Sequence, residues 1–294
     1  MTTTHTFAKA PSSAPLMLKA ALPALPGIGG LPGVKHVGTD APDVVLERPG
    51  VAVDADHLAR YHEVCGFGPS DRLPITYPHM AAFGLHMALM TDVAFPFAPM
   101  GLVHLRNNIT QHKPLTAKDV FDVAVRATNL RPHPKGRLID ILTDVTVDGE
   151  TVWTENMTLF ARGKGGAPEE TPAPLEGLEA PSGVVRWKLA GNLGRRYGAV
   201  SGDRNPIHLY PVTAKAFGFP SNIAHGMWTK AHALAAIANR TPDAASVDVE
   251  FKKPILLPAT VVFGARTEGR TTEFGVTGSK KPVTHMVGRV GPLA

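Results

Sequence analysis

One cysteine in the whole chain, Cys65, removes two classes of protein at once. A disulfide framework needs pairs and a thiolate metal cluster needs several sulfurs, so neither organises this sequence, and a reducing, cytoplasmic setting is the simple expectation. Aromatic residues are few (6%), and the charged residues (19%) leave a formal net charge of +5 with no basic run. Nucleic-acid binding needs clustered Lys and Arg with stacking rings between them, so no nucleic-acid partner is expected. No apolar run approaches the roughly 20 residues of a membrane-crossing helix. Met17–Leu25 is the nearest, but Pro23 interrupts it and it lacks the basic flank of a secretory leader. What the chain does have is length, 294 residues, and 44% apolar content, which suit two cores better than one.

Residues 1–48 are rich in Pro, Ala, Gly and Thr and show no sustained period. They read as an N-terminal extension, with the first dozen residues mobile and Leu22–Val34 wrapped on a domain surface. From residue 49 the pattern sharpens. Val51–Val53 reads as a short strand. Asp54–Cys65 reads as a helix with Asp54 as cap and Gly66 as stop, and Met80–Met90 as a helix apolar on nearly every side and therefore buried. Strands are expected near 103–112, 120–129, 138–147 and 151–162, with Asp148-Gly149 as a tight hairpin turn. Residues 163–182 are Gly, Pro and Glu without an apolar period, a linker. Beyond it the order repeats: a strand at 184–189, a helix from about Asn192 to Val200, a buried helix at 226–238, and strands near 247–251, 260–267, 272–278 and 285–290.

The repeat can be laid residue on residue. Arg60-Tyr61, Val64-Cys65-Gly66 matches Arg196-Tyr197, Val200-Ser201-Gly202, and Gln111-His112-Lys113-Pro114-Leu115 matches Phe251-Lys252-Lys253-Pro254-Ile255. The chain therefore divides into 49–162 and 183–294, each one long helix with a curled antiparallel sheet. The copies differ at one place. Between Tyr197 and the second buried helix runs Gly202-Asp203-Arg204-Asn205-Pro206-Ile207-His208; the first copy has Phe67 at the position of Asp203 and lacks the residues that follow.

That stretch holds the chemistry. Pro206 has no N–H and biases Asn205 away from helical angles, so the segment is expected to be a turn in which Asp203 and His208 curl toward one point. A carboxylate and an imidazole converging on one water or hydroxyl can move protons to and from carbon near neutral pH. Farther on, Ala224-His225-Gly226-Met227 leads into the buried helix, whose bare first-turn N–H groups offer a seat for an oxyanion, with Gly226 as donor. The bland readings are a carboxylate that caps a turn and a histidine satisfied in the core. Asn205 reads as shaping the turn and Ser201 as a small packing residue.

The full string, Tyr197, Val200-Ser201-Gly202-Asp203, Asn205-Pro206-Ile207-His208 and Ala214, followed by Ala224-His225-Gly226-Met227, resembles the signature of the MaoC-like (R)-specific enoyl-thioester hydratases. The two-half layout from about Pro49 resembles the actinobacterial 3-hydroxyacyl-thioester dehydratases. The resemblance implies an α+β double hotdog fold. It implies reversible dehydration of (3R)-3-hydroxyacyl thioesters in fatty-acid metabolism, with Asp203 and His208 catalytic, Gly226, Asn205 and Ser201 at the oxyanion or substrate, and no cofactor. The substrate would be an acyl-CoA or an acyl carrier protein thioester, which the basic net charge suits. The first half, without the turn, would house the acyl chain, and the molecule would be a monomeric pseudo-dimer or a homodimer. Arg195 and Arg196 are candidates for the pantetheine phosphate.

Two other classes stay open. A hotdog thioesterase would share fold and thioester but attack the carbonyl, and a non-catalytic acyl-carrier binding protein would need no turn at all. No metal is expected: His79 and His86 lie seven residues apart, as do His225 and His232, and along a helix that spacing is about 10 Å, too far for one ion.

Overall fold

Within each half of the chain, five strands pair in the same order, and the two sets meet edge to edge. A computed structural model describes residues 2–24, 30–31, 33–167 and 175–293. The strands are β1 (Thr3–Thr6), β2 (Val44–Ala52), β3 (Leu102–Gln111), β4 (Val120–His133), β5 (Gly136–Val147) and β6 (Glu150–Arg162), then β7 (Val185–Leu189), β8 (Ala245–Phe251), β9 (Ala259–Glu268), β10 (Thr271–Gly278) and β11 (Thr284–Pro292). They form one sheet in the order β1-β2-β4-β5-β6-β3-β8-β11-β10-β9-β7. The helices are α1 (Ser13–Ala21), α2 (Ala55–Cys65), α3 (Pro78–Met90), α4 (Leu193–Ser201), α5 (Pro206–Leu209), α6 (Pro211–Ala216) and α7 (Gly226–Ala236).

The order β2-β4-β5-β6-β3 recurs as β7-β9-β10-β11-β8, and β3 pairs antiparallel with β8 across the junction. The alignment that sets Gln111 on Phe251 also sets Asn108 on Asp248, and these two residues face each other in the register. A pseudo-twofold axis therefore passes through that pair, and the Asn108 amide donates to the Asp248 carboxylate at 2.8 Å. Helices α2 and α4 pack together across the same axis. From α7, Trp228 Nε1–H donates to Val64 O and His232 Nδ1–H to Cys65 O, both at 2.8 Å, which satisfies carbonyls at the end of α2.

Local sequence accounts for most of these elements. Asp54 accepts from the N–H groups of Asp56 and His57, and Gly66 ends α2 in the left-handed region. Alternate residues of β4 are buried along its first eight positions. Asp148 and Gly149 both have positive φ, the primed turn that a right-twisted hairpin needs. Helices α3 and α7 are the buried centres, with Ala82, Leu85, Ala231 and Ala233 fully enclosed.

The N-terminal segment departs from expectation. Thr3–Thr6, expected to be mobile, pairs in parallel with β2, and β2 itself starts at Val44, inside the stretch read as extension. Every residue of β1 is exposed, so no apolar period exists to betray it; the open edge of β2 supplies the hydrogen-bonding partners. Pro49-Gly50, read as a boundary, is a bulge within β2, with Gly50 at φ 63°. Part of Leu22–Val34, residues 25–29 and 32, lies outside the described residues, as does 168–174 of the linker. The described flanks of the linker are packed rather than loose: Leu175 is buried, and Gly166 N–H donates to His133 O at 3.0 Å.

Candidate active site

A run of side-chain to backbone hydrogen bonds builds the turn after α4. Gly202, at φ 76°, ends the helix and swings the chain away from its axis. The Asp203 N–H then donates to Ser201 Oγ at 3.1 Å, the Asn205 N–H to Asp203 Oδ1 at 3.1 Å, and the Ile207 N–H to Asn205 Oδ1 at 3.3 Å. The last of these is an N-cap. Pro206 therefore opens the one-turn helix α5, and His208 sits in a helix rather than in the expected turn, because proline is excluded from helix interiors but suits the first position. The turn lies flat on α4 because Gly194 and Gly198 expose bare backbone to it. A Cβ at Gly194 would stand 1.9 Å from His208 O, and one at Gly198 2.8 Å from Asp203 O.

Asp203 and His208 are brought together, with His225 as a third member. One polar atom of each lies within 4.8 Å of the others. The His208 Nδ1–H donates to Ile223 O at 2.8 Å, which leaves Nε2 as the acceptor on the other side of the ring. The His225 Nε2–H donates to Asp203 O at 3.0 Å and stands 3.7 Å from the Asp203 carboxylate. The two rings stack with centroids 3.7 Å apart. Burial lowers both imidazole pKa values, His225 to about 3 with help from His208, although Asp203 pulls the other way. For Asp203, burial pushes upward but His225, His208 and the Asn205 N–H outweigh it, so its pKa falls below the ordinary carboxylate value. At neutral pH the site holds an ionised carboxylate beside neutral imidazoles.

Gly226 is the first residue of α7, so its N–H belongs to the unpaired first turn of a buried helix. Space there is tight: a Cβ would meet the Phe251 ring at 3.1 Å, so any larger residue would have to push that ring aside. Asp203, His208, Gly226, Asn205 and Ser201 all line one cavity of about 750 Å³. Asn205 and Ser201 use their side-chain oxygens on the turn itself, Asn205 as a turn-shaping residue and Ser201 as an acceptor for the Asp203 N–H rather than only a small packing residue. Arg195 and Arg196 are elsewhere: Arg195 donates to Leu209 O and covers the Tyr210 ring, and Arg196 faces Glu63. Arg162, Lys252 and Lys253 are the cations on the cavity wall instead.

Sequence reasoning missed three contributions. His225 was expected to be a plain core or surface imidazole; its place immediately before Gly226 is the signal that puts it on the site. Helix α1, from the segment without a period, adds Met17 and Ala20 to the cavity. His79 and His86 were expected to be too far apart for one ion, yet their ring centroids lie 5.1 Å apart, and with Glu155 they form a group whose polar atoms fall within 4.8 Å of one another. Axial rise overstates the separation because it measures the backbone, whereas the two long side chains share one face and converge beyond it. This trio and the Asp203 group are the two places among the described residues where histidines and carboxylates stand close enough to hold a metal.

Known proteins resemble this chain in both sequence and fold. Residues 181–287 match the MaoC like domain, a span that contains the turn and α7. The chain is 40% identical over 253 residues to 3-hydroxyacyl-thioester dehydratase X of Mycobacterium tuberculosis, covering 85% of this chain and 87% of that one. The crystal structure of HtdX from the same organism superposes with a TM-score of 0.75 at 35% identity, over 85% of this chain and all of that one. A second M. tuberculosis protein, described as a double hotdog fold, matches at a TM-score of 0.53 and 12% identity, over 83% of this chain and 93% of that one, a likeness of fold alone. With the dehydratase likeness running through both halves and the MaoC-like match falling on the half that carries the turn, the chain belongs to the MaoC-like 3-hydroxyacyl-thioester dehydratases and has their double hotdog fold.

Proposed function

We propose that the protein interconverts (3R)-3-hydroxyacyl thioesters and trans-2-enoyl thioesters by removing and adding water across the α,β-bond, with Asp203 and His208 moving the protons. The observation that carries this reading is the convergence of an ionised Asp203 and a neutral His208 on one cavity wall, beside the open N-terminus of α7. An α C–H next to a thioester is too weakly acidic for a lone base. The enolate-like oxygen must therefore be stabilised, and a preorganised N–H such as that of Gly226 supplies about 3–4 kcal/mol. One member of the pair takes the proton from Cα. The departing β-hydroxyl needs one proton to leave as water, and the pair returns it, so both groups end in the charge state in which they began.

The first half, residues 49–162, supplies the acyl arm in this reading. Phe83, Met87, Met90 and Met157 line the cavity on that side, where no second catalytic turn intrudes. Arg162, Lys252 and Lys253 suit the anionic pantetheine arm of coenzyme A or of an acyl carrier protein. The two halves act as a pseudo-dimer within one chain, with the linker at 163–182 between them. A cytoplasmic location rests on the single cysteine, and no described helix is long and apolar enough to cross a membrane.

The test is to mix the protein with trans-2-enoyl-CoA, follow the loss of conjugated absorbance, and resolve the product on a chiral column. The 3R-hydroxyacyl thioester is expected. The 3S product, or no change in absorbance, overturns the reading.

A further inference from the structure

One polar pair on the cavity wall belongs neither to the catalytic turn nor to α7. His79, in the first turn of α3, places Nδ1 at 2.9 and 2.8 Å from the two oxygens of Glu155 on β6. A carboxylate only accepts, so Nδ1–H is the donor and the ring orientation is fixed. Glu155 also accepts from the Asn107 amide at 2.7 Å, and Asn107 Oδ1 in turn accepts from Lys230 at 2.6 Å. All four residues are buried, Lys230 completely. Although burial opposes it, His79 helps hold the Glu155 pKa near 2, so a charge is kept in the interior with two hydrogen-bond partners, one of them backed by Lys230.

Such an arrangement does more than a core needs. It aims an oriented imidazole at the cavity that His79 lines, and Nε2 makes no hydrogen bond to any described residue. Besides His86, whose ring lies 5.1 Å away, that side is lined by Phe83, with its ring at 6.4 Å, and by Met87 and Met157. A plain alkyl chain lying there would strip water from Nε2 and return nothing, a cost that a buried polar group imposes on any ligand without a partner for it. A chain carrying oxygen would not. His79 and Asp203 line the same cavity, His79 on the first-half side with Phe83, Met87 and Met157, so the acyl arm reaches it from the reacting carbons.

Resting on the hydratase reading above, we propose that His79, oriented by Glu155, binds a hydroxyl or keto oxygen carried by the acyl chain beyond the β-carbon. Oxygenated acyl thioesters are then preferred over plain alkyl ones. A neutral ring accepts from a hydroxyl at Nε2, and a protonated ring, its charge balanced by Glu155, donates to a keto oxygen. A merely structural network would couple β3, β6, α3 and α7 and would leave substrate preference untouched.

The experiment compares kcat/KM of the full-length protein for two enoyl-CoA substrates of equal length, one plain and one with a hydroxyl past the reacting double bond. The wild type is expected to favour the hydroxylated chain by at least about tenfold, because a site built to hydrogen-bond an oxygen rejects the chain that lacks it. His79→Leu is expected to bring the ratio within about twofold of unity, and His79→Gln to keep part of the preference. A wild-type ratio near one overturns the proposal whether or not the variants fold, as does an unchanged ratio in a folded His79→Leu. Failure of the wild type on both chains overturns the hydratase reading instead, and the proposal with it.

Discussion

Asp203→Asn keeps the size of the side chain and an acceptor for the Asn205 N–H, and it removes the charge that the neighbouring imidazoles sustain. His208→Gln likewise keeps a polar end near Ile223 O but loses the titratable nitrogen. Each is expected to lower turnover at least about a hundredfold with little change in melting temperature, and a variant with near wild-type turnover would take its residue out of the mechanism. The pH profile follows from the same site. Because burial sets the His208 pKa below the ordinary 6.5, the neutral base persists as pH falls through the range where an exposed imidazole protonates. The acid limb of kcat/KM is therefore expected below pH 6.5, and a midpoint above it would contradict the assigned protonation. Circular dichroism must be followed in parallel. His86, His104 and His225 are held near 3, so the unfolded chain binds more protons, and stability declines as pH falls from about 6.5 toward 3. Asp203, Asn205 and His208 were legible because they are close in sequence, on a turn and the one-turn helix that follows it, held by bonds that span two or three residues. His79 and Glu155 were not, since 76 residues separate them and only the fold brings them together.

Elements with a buried face were readable, and those without one were not. Helices α3 and α7 stand out by apolar content, and the hairpin at Asp148-Gly149 by its turn residues. Strand β1 carries no such mark, and α1 joins the cavity from a stretch without a period. Gly84 shows what α1 depends on. A Cβ at that position in α3 would stand 2.7 Å from Pro11 O, so the N-terminal segment rests directly on the helix. Gly84→Leu is expected to push that segment, and with it Met17, off the cavity. Turnover of long acyl chains should then fall more than that of short ones, read as the ratio of kcat/KM. An equal loss on both would place the damage in α3 itself.

Across the whole molecule, the repeat was visible in sequence because matched segments survive in both halves, and the Asn108–Asp248 pair turns that repeat into a physical axis. The strand-level junction was not visible, since nothing in β3 or β8 distinguishes a partner in the same half from one in the other. Residues 183–294 expressed alone would leave β8 as an open edge and Trp228 Nε1 without Val64 O. That fragment is expected to self-associate in size-exclusion chromatography with light scattering, and a soluble monomer with full long-chain activity would reduce the first half to an accessory. The central claim, that chemistry occurs at the α,β-bond and not at the thioester carbonyl, is tested most directly by nuclear magnetic resonance of trans-2-enoyl-CoA turned over in deuterium oxide. The account predicts an intact thioester with one deuteron at Cα and a hydroxyl at Cβ; release of free thiol with the double bond unchanged would contradict it.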